Sequence, residues 1–557
     1  MLLPPPMNWQ DCTRFTVFDT DSSRGAALIA QWRRDPARSR QLHVIALDPG
    51  LLPGWHRMPQ RDAGVTLDLV SAPLTTALAQ LTASLDAICL RDVEGTDFAR
   101  PLARITALGA QLEASNLTDE QVTALGAQGF VFDGSTHATR HARFSSRKPR
   151  LPSPPVLEKR AIVIGAGLAG AAACARLCAR GWNVTLVERH AAPAMEASGN
   201  LAGIFMPLLS RDDNIPTRLT RAAYLYALRY WETIGGIGQR IDGAACSVLQ
   251  LARDAQHAAV QRSIASESAY PPQFAEWLEQ GAAEALLGHP APDGGWLFRQ
   301  GGWARPGSVC DAMLEACGPL LTRRFGSGSV SLARADGEWQ VLDAGGAVLA
   351  TAATVILANG PAARALAQAA TLPLSAVRGQ VTHIDAADVP ALPLVLCREA
   401  YITPPAHGVC SFGASYDMDS DPHLRIASQQ ANLANVRDLL QDATIGVDAP
   451  LRGRVGFRCV APDRLPLVGR LPDVDAAGGR ERLRDVPRHP GLHGLLGYAS
   501  RGLIWAPLMA ELLAAELNGE PLPLEASLVD ALDPARFVLR GRRIATLSQK
   551  PAADDDI

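Results

Sequence analysis

Short apolar runs alternate with stretches of helical spacing along most of the chain. FTVFD from Phe15, LHVIALD from Leu42 and LDAICL from Leu85 are aliphatic and aromatic runs of strand length, and Ala26 to Arg34 between the first two has helical spacing. This order predicts an α/β unit over residues 1–136. The pattern then breaks. HATRHARFSSRKPRLPSPP, from His137 to Pro155, holds five Lys or Arg, no acid before Glu158 and a Pro/Ser-rich end, which predicts an interdomain linker over residues 137–157. A second α/β unit opens abruptly at KRAIVIGAG and is expected over residues 158–545, with TVILANG (Thr354 to Gly360) as a buried strand ending in a glycine turn. Leu503 to Leu517 reads as a long apolar helix, and residues 546–557 as a disordered tail.

The strongest local signal is Ile162-Val163-Ile164-Gly165-Ala166-Gly167-Leu168-Ala169-Gly170, a G-x-G-x-x-G segment between a β-branched strand and an alanine-rich helix. Gly165 permits the tight turn, Gly167 lets backbone approach a pyrophosphate, and Gly170 lets the helix pack closely on the strand. The helix N-terminus then offers free N–H groups and partial positive charge to phosphate. A second strand, Val184 to Val187, ends in Glu188, eighteen residues after Gly170, where a carboxylate accepts hydrogen bonds from a ribose diol. The acid disfavours a 2′-phosphate by repulsion, although Arg189 follows it. FAD and NAD both satisfy this pattern.

Composition narrows the class. The 557 residues are 47% hydrophobic and 20% charged with a net charge of -3, values of a globular multidomain protein with no overall bias toward a polyanion. The ten cysteines include no C-x-x-C pair, so reduced and mostly buried thiols are expected, with no metal site. MLLPPPMNWQDCTRF lacks a basic segment ahead of an apolar core, and AIVIGAGLAGAAACARLCA is broken by glycines and Arg176, so neither a signal peptide nor a membrane span is expected. A cytoplasmic location follows. The stretch Arg140 to Arg150 is the clearest candidate for phosphate contact, a solvated linker being the alternative.

Further segments resemble the D-amino-acid-oxidase and glycine-oxidase class of flavoenzymes. They are Arg378-Gly379-Gln380-Val381, Gly456-Phe457-Arg458 ahead of Pro462-Asp463-Arg464-Leu465-Pro466-Leu467-Val468-Gly469, and Ser500-Arg501-Gly502-Leu503 running into WAPLMAELLA. Ala197-Ser198-Gly199-Asn200 with Gly203 and Pro207, followed by RLTRAAYLYALRYW, resembles the oxidoreductase half of the bifunctional enzymes that make 5-methylaminomethyl-2-thiouridine in tRNA. The resemblance implies FAD as cofactor and an FAD-binding fold interleaved with a mixed-sheet substrate domain. It implies oxidative removal of the carboxymethyl group from 5-carboxymethylaminomethyl-uridine at the tRNA wobble position, with molecular oxygen as electron acceptor.

The N-terminal part resembles the methyltransferase half of the same family in FTVFDTDSSRGAALIAQWRRDP and LHVIALDP, which implies a Rossmann-like domain for S-adenosylmethionine. It departs from that pattern in two places. Asp19-Thr20-Asp21-Ser22-Ser23-Arg24-Gly25 keeps a single glycine where a glycine-rich loop is needed, and Arg91-Asp92-Val93-Glu94-Gly95 stands where the family has Asp-Gly-Phe-Ala-Pro. A shortened, degenerate domain is therefore expected, with Gly25 and Asp48 as the remaining marks of a cofactor site and methylation lost.

The substrate group the resemblance implies is an N-substituted glycine, so a carboxylate anchor is needed, and a guanidinium binds both oxygens at once. Arg458 falls where the glycine-oxidase class places this anchor, and Tyr401, in EAYITPP, where it places a substrate-contacting tyrosine. Arg501 and Gly502 precede the apolar helix, whose N-terminus would face the flavin. The candidate catalytic residues are thus Arg458, Tyr401 and Arg501; the candidate cofactor residues are Gly165, Gly167, Gly170, Glu188, Gly199, Asn200, Gly360, Arg501 and Gly502. Gln380 is a candidate flavin or sheet contact and Arg378 a candidate pair at a domain seam, while Trp231, Trp296 and Trp303 are assigned to the core. Three alternatives remain: a free glycine, sarcosine or D-amino-acid oxidase, a bifunctional enzyme that still methylates, and a non-catalytic flavin-binding partner of tRNA enzymes.

Overall fold

The structure, a computed structural model, describes residues 9–10, 12–59, 64–134, 138–145, 156, 158–477 and 481–539. It divides into two compact units, one of residues 1–157 with 228–233 and 511–529, the other of 158–227, 234–510 and 530–557.

The first unit is built on eight strands: β1 (Arg14–Asp19), β2 (Gln41–Leu47), β3 (Gly54–Met58), β4 (Val65–Ser71), β5 (Leu85–Arg91), β6 (Thr106–Ser115), β7 (Phe130–Phe132) and β8 (Thr139–Phe144). Their order is β3-β4-β2-β1-β5-β6-β8-β7. The five strands from β4 to β6 are parallel, while β3 and β8 run antiparallel to β4 and β6. A parallel sheet covered on both faces needs strands that are apolar throughout, which explains the unbroken runs in β1, β2 and β5. Trp9, Val17, Leu28, Trp32 and Val44 fill one side, and Phe18, Ile45, Val70, Ile88 and Leu102 the other. The chain order reverses at β1, the arrangement of a doubly wound fold with its ligand crevice beyond the carboxyl ends of the central strands.

One expectation needs correction. The linker expected from residue 137 contains β8, which pairs with both β6 and β7 inside the sheet. Ala142 and Phe144 are buried and their neighbours exposed, so a two-residue alternation lies beneath the basic residues that dominate the composition. Arg140 pairs with Asp119 at 3.2 Å. Arg147, Lys148 and Arg150 of the candidate phosphate-binding stretch lie outside the described residues, as does the tail.

The first unit also recruits residues 511–529, which the sequence pattern assigns to the oxidoreductase. Arg57, fully buried, binds Asp68 through Nε (2.6 Å) and Nη2 (2.7 Å), Glu511 through Nη1 (2.9 Å) and the Pro521 carbonyl through Nη2 (2.7 Å).

The second unit interleaves two large sheets and has two three-stranded ones besides. The first has six strands in the order Leu321–Arg324, Asn183–Val187, Arg160–Ile164, Thr354–Leu357, Arg488–Leu496 and Leu467–Pro472, parallel except for the last. The other has eight, in the order Glu276–Leu278, Gly295–Phe298, Val248–Leu251, Val395–Cys397, Tyr401–Ile402, Val409–Gly413, Ser375–Asp385 and Arg452–Val460. One face of the eight-stranded sheet carries Leu249, Leu297, Leu396, Ile402 and Phe412 against Leu433, Val436 and Leu440 of the helix Ile426–Leu440. The chain enters each sheet more than once, as the flavoenzyme resemblance implies. Among the described residues, no helix is long and apolar enough to cross a membrane.

Candidate active site

The strand Arg160–Ile164 delivers the chain to Gly165, whose φ of +102° is open to glycine and strained for other residues. Gly165 and Gly170 are sterically required, and Gly167 is tightly fitted. A Cβ at Gly165 would lie 2.7 Å from the Ala358 carbonyl oxygen, at Gly167 3.0 Å from Ser198 Oγ, and at Gly170 1.8 Å from the Gly165 carbonyl oxygen. The helix Leu168–Cys178 therefore seats directly on the strand, with its first turn at a cavity of about 750 Å³. Glu188 ends the neighbouring strand and lines the same cavity. Its Oε2 accepts the Ala166 N–H (2.7 Å) and its Oε1 the His190 N–H (2.9 Å), which fixes the carboxylate beside the glycine turn and leaves lone pairs for a ribose. These features fit an adenine dinucleotide.

Gly165, Gly167, Glu188, Asn200, Gly360, Tyr401, Arg458, Arg501 and Gly502 all line this one cavity. Gly170 and Gly199 are not among its lining residues. A Cβ at Gly199 would strike the Arg454 guanidinium at 2.5 Å, so that glycine makes room for a side chain the sequence reading passed over. Arg454 donates to Asn200 Oδ1 (3.2 Å), to the Met195 carbonyl (2.7 Å) and to the Glu196 carbonyl, clamping the 195–200 loop. Ser198 Oγ in turn accepts the Leu168 N–H at 3.1 Å, satisfying one free donor at the helix start.

The strand Arg452–Val460 sets Arg454, Gly456 and Arg458 on one face by its two-residue period. Arg458 is half-buried, donates to the Ser415 carbonyl at 3.0 Å, and holds its Cζ 5.7 Å from the centre of the Tyr416 ring. Burial lowers its pKa, opposed by Tyr401, Tyr416 and Asp417. Burial pushes the Tyr401 hydroxyl up to about 12 against the pull of Arg458, so it stays protonated. On the strand next to that of Arg458, Arg378 and Gln380 are fully buried and hold the loop that carries Tyr416. Arg378 reaches the Asp421 carbonyl (2.8 Å), the His423 carbonyl (2.6 Å) and Asp417 (3.1 Å), and Gln380 binds the backbone of Arg425. Gln380 is therefore a loop anchor, not a cavity contact.

Arg501 lies at the start of the helix Gly502–Asn518, its carbonyl accepting the Trp505 N–H at 3.0 Å. The first residues of that helix, Gly502, Leu503 and Ile504, line the cavity. Burial pushes the Arg501 guanidinium down to about 10, and its Nη1 donates to the Met206 carbonyl at 3.4 Å. Tyr416 was missed because an exposed aromatic in a loop has no periodicity to mark it. Arg454 had such a signal in its spacing from Arg458. Trp231 and Trp303 are core residues as expected.

At the crevice of the first unit the geometry is different. A Cβ at Gly25 would meet nothing nearer than 3.9 Å, so glycine is not required there. Asp19, 4% exposed, receives the Asp21 N–H at 2.9 Å and the Arg24 guanidinium at 3.4 Å, while Arg24 and Arg91 approach Glu113 at 3.9 and 3.3 Å. Asp48 is turned onto the Gly50 N–H at 3.0 Å. The chain's own ion pairs thus gather at the carboxyl ends of β1, β5 and β6.

Residues 160–516 match the family of FAD dependent oxidoreductases. The chain is 38% identical to the tRNA 5-methylaminomethyl-2-thiouridine biosynthesis bifunctional protein of Azoarcus sp. (strain BH72), over 97% of this chain and 92% of that one. It is likewise 38% identical to the protein of that description from Paraburkholderia xenovorans (strain LB400), over 98% and 93%. Among solved structures it is similar to an iminodiacetate oxidase from Chelativorans sp. BNC1 (TM-score 0.53, 23% identity, 65% of this chain and 96% of that one). A glycine oxidase from Geobacillus kaustophilus gives a TM-score of 0.54 at 19% identity, over 68% and 98%. With a glycine cradle shaped for FAD and this near full-length likeness, the chain belongs to the family of bifunctional tRNA 5-methylaminomethyl-2-thiouridine biosynthesis proteins and carries its FAD-dependent oxidoreductase fold.

Proposed function

We propose that this protein removes the carboxymethyl group from 5-carboxymethylaminomethyl-uridine at the wobble position of tRNA, leaving the 5-aminomethyl base. The observation that carries this reading is a half-buried arginine, Arg458, in the same cavity as the dinucleotide cradle. Bound FAD would accept a hydride from the methylene next to the substrate carboxylate. The remaining chemistry falls to the chain and water. Arg458 binds the carboxylate and fixes that methylene, and Tyr401 supplies a neutral hydroxyl donor beside it. The oxidised substrate is an imine, N=CH–COO⁻, which water hydrolyses to glyoxylate and the free amine. Gly165, Gly167, Gly170, Glu188, Gly199, Asn200, Gly360 and Gly502 would hold the dinucleotide, and the helix start at Arg501 and Gly502 would direct its free N–H groups and dipole toward it.

Oxygen serves as electron acceptor, the protein works in the cytoplasm, and the domain division follows the two α/β units. Methylation has been lost in this chain; the support is the Arg24 ion-pair cluster over β1 and the dispensable glycine at position 25. Absence of S-adenosylmethionine binding to the full-length protein at millimolar ligand is the expected result, and saturable binding would restore the bifunctional reading.

The deciding experiment is anaerobic flavin reduction by tRNA bearing 5-carboxymethylaminomethyl-uridine, compared with free glycine and sarcosine. Rapid bleaching by the tRNA, with aminomethyl-uridine in the digested product, is expected. Bleaching by the small amino acids and none by tRNA would make the protein a metabolic oxidase.

A further inference from the structure

A second cleft opens at the far edge of the eight-stranded sheet. Its volume is about 410 Å³, and its lining includes Arg262, Ser266, Tyr270, Glu276, Trp277 and Trp296. Trp296, 3% exposed, forms the floor, while Trp277 and Tyr270 are half-buried walls. Trp277 and Tyr270 each meet Trp296 edge-on, at ring-centre distances of 5.8 and 6.4 Å. The Arg262 guanidinium lies over Trp277 with its Cζ 5.8 Å from the ring centre. Both carboxylates at the rim are already neutralised: Glu279 accepts Arg262 Nε at 2.8 Å, and Glu276 accepts Arg299 Nε at 3.1 Å.

The strand register ties this cleft to the flavin cavity. Trp277 stands opposite Trp296, Trp296 opposite Gln250, Gln250 opposite Cys397, and Cys397 opposite Tyr401. Residues directly opposite one another in neighbouring strands project from the same face. The alternate positions Leu297, Leu249, Leu396 and Ile402 all belong to the apolar core on the other face. Trp277 and Tyr401 are therefore two ends of one row, separated by four strand spacings, or about 19 Å at roughly 4.8 Å each. An unpaired loop covers that distance in a few nucleotides.

Aromatic rings beside a guanidinium plane are how proteins hold splayed single-stranded bases, since every base has a π-face. We propose that the Trp277 cleft is a nucleobase site, taking an unpaired base of the same RNA whose wobble nucleotide enters the flavin cavity. This inference rests on the tRNA reading for its ligand class. It assigns Trp296 a second role beyond the core packing expected from sequence.

The test is binding of a fluorescein-labelled, unmodified anticodon stem-loop RNA to the full-length FAD-loaded protein, which requires no turnover. Trp277→Ala should raise the Kd on the order of tenfold or more, Trp277→Phe should stay near wild type, and Arg262→Ala, at an exposed position, should weaken binding without disturbing the fold. Flavin reduction by the free modified nucleoside should be equal in all. Equal RNA affinity across wild type, Trp277→Ala and Arg262→Ala, or no RNA binding by wild type, overturns the site. RNA binding that depends on Trp277 in a protein whose flavin the modified tRNA does not reduce would uphold the cleft and overturn the proposed reaction.

Discussion

Gly379 exists in this fold to make room for Arg458. The two sit on adjacent strands, and a Cβ at Gly379 would lie 2.2 Å from Arg458 Nη1 and 2.4 Å from its Cζ. Gly379→Ala should therefore displace the guanidinium without removing it. The expected phenotype is a yellow, FAD-loaded protein with a KM for the carboxylate-bearing substrate raised tenfold or more, measured by stopped-flow flavin reduction. Wild-type kinetics would mean that Arg458 can swing aside at no cost.

Removing the cation itself should be harsher. Arg458→Ala is expected to keep FAD and lose about 2–3 kcal/mol of transition-state binding, roughly 10²-fold in kcat/KM, as for a charge-assisted hydrogen-bonded pair. A substrate analogue lacking the carboxylate should show little difference between wild type and variant. If both substrates suffer equally, Arg458 is not the anchor.

Gly170→Ala addresses the cofactor alone. Its methyl would fall 1.8 Å from the Gly165 carbonyl oxygen, a collision that only separation of helix and strand can relieve. The purified variant should be colourless, with FAD content read from its absorbance. A fully flavinylated Gly170→Ala protein would refute the tight-packing account of the motif.

In the first unit, Asp19 offers a pH signature. Burial, the largest influence, raises its pKa from 3.8 to about 6, so the folded state holds this proton more tightly than the unfolded chain. Stability from this source is complete below about pH 4 and is lost as pH rises through about 6, a loss on the order of 2–3 kcal/mol. Asp19→Asn should therefore unfold at a higher temperature than wild type at pH 8, with the gap closing at pH 4. A gap that widens on acidification would show that the Arg24 pairing outweighs burial.

Arg57 is the first unit's most exacting residue. Its loss would take the guanidinium away from Asp68 and Glu511, both essentially inaccessible. Arg57→Ala should cost about 3–5 kcal/mol by chemical denaturation. A cost below about 1 kcal/mol would mean that the acids take up protons or water without penalty.

The strands Arg160–Ile164 and Thr354–Leu357, the glycine turn and the helix Gly502–Asn518 were all readable from the chain, because each is a local pattern whose chemistry is self-contained. Arg458, Tyr401 and Arg501 came from resemblance, and the structure brings them to one cavity. What sequence could not supply was reciprocity. Gly199 matters through Arg454, and Gly379 through Arg458, pairs distant in sequence or lying across a sheet. The strand β8 was hidden for the opposite reason: its basic residues spoke louder than the alternation beneath them.

The helix that starts beside the flavin cavity ends in the first unit's core, where Glu511 meets Arg57. The chain is in this sense tied at both ends, and its gene is constrained in how it can shrink. A deletion that discarded the N-terminal domain would remove Arg57 from Glu511 and uncover the apolar turns around it. The N-terminal domain is thus inherited together with the helix segment that completes it.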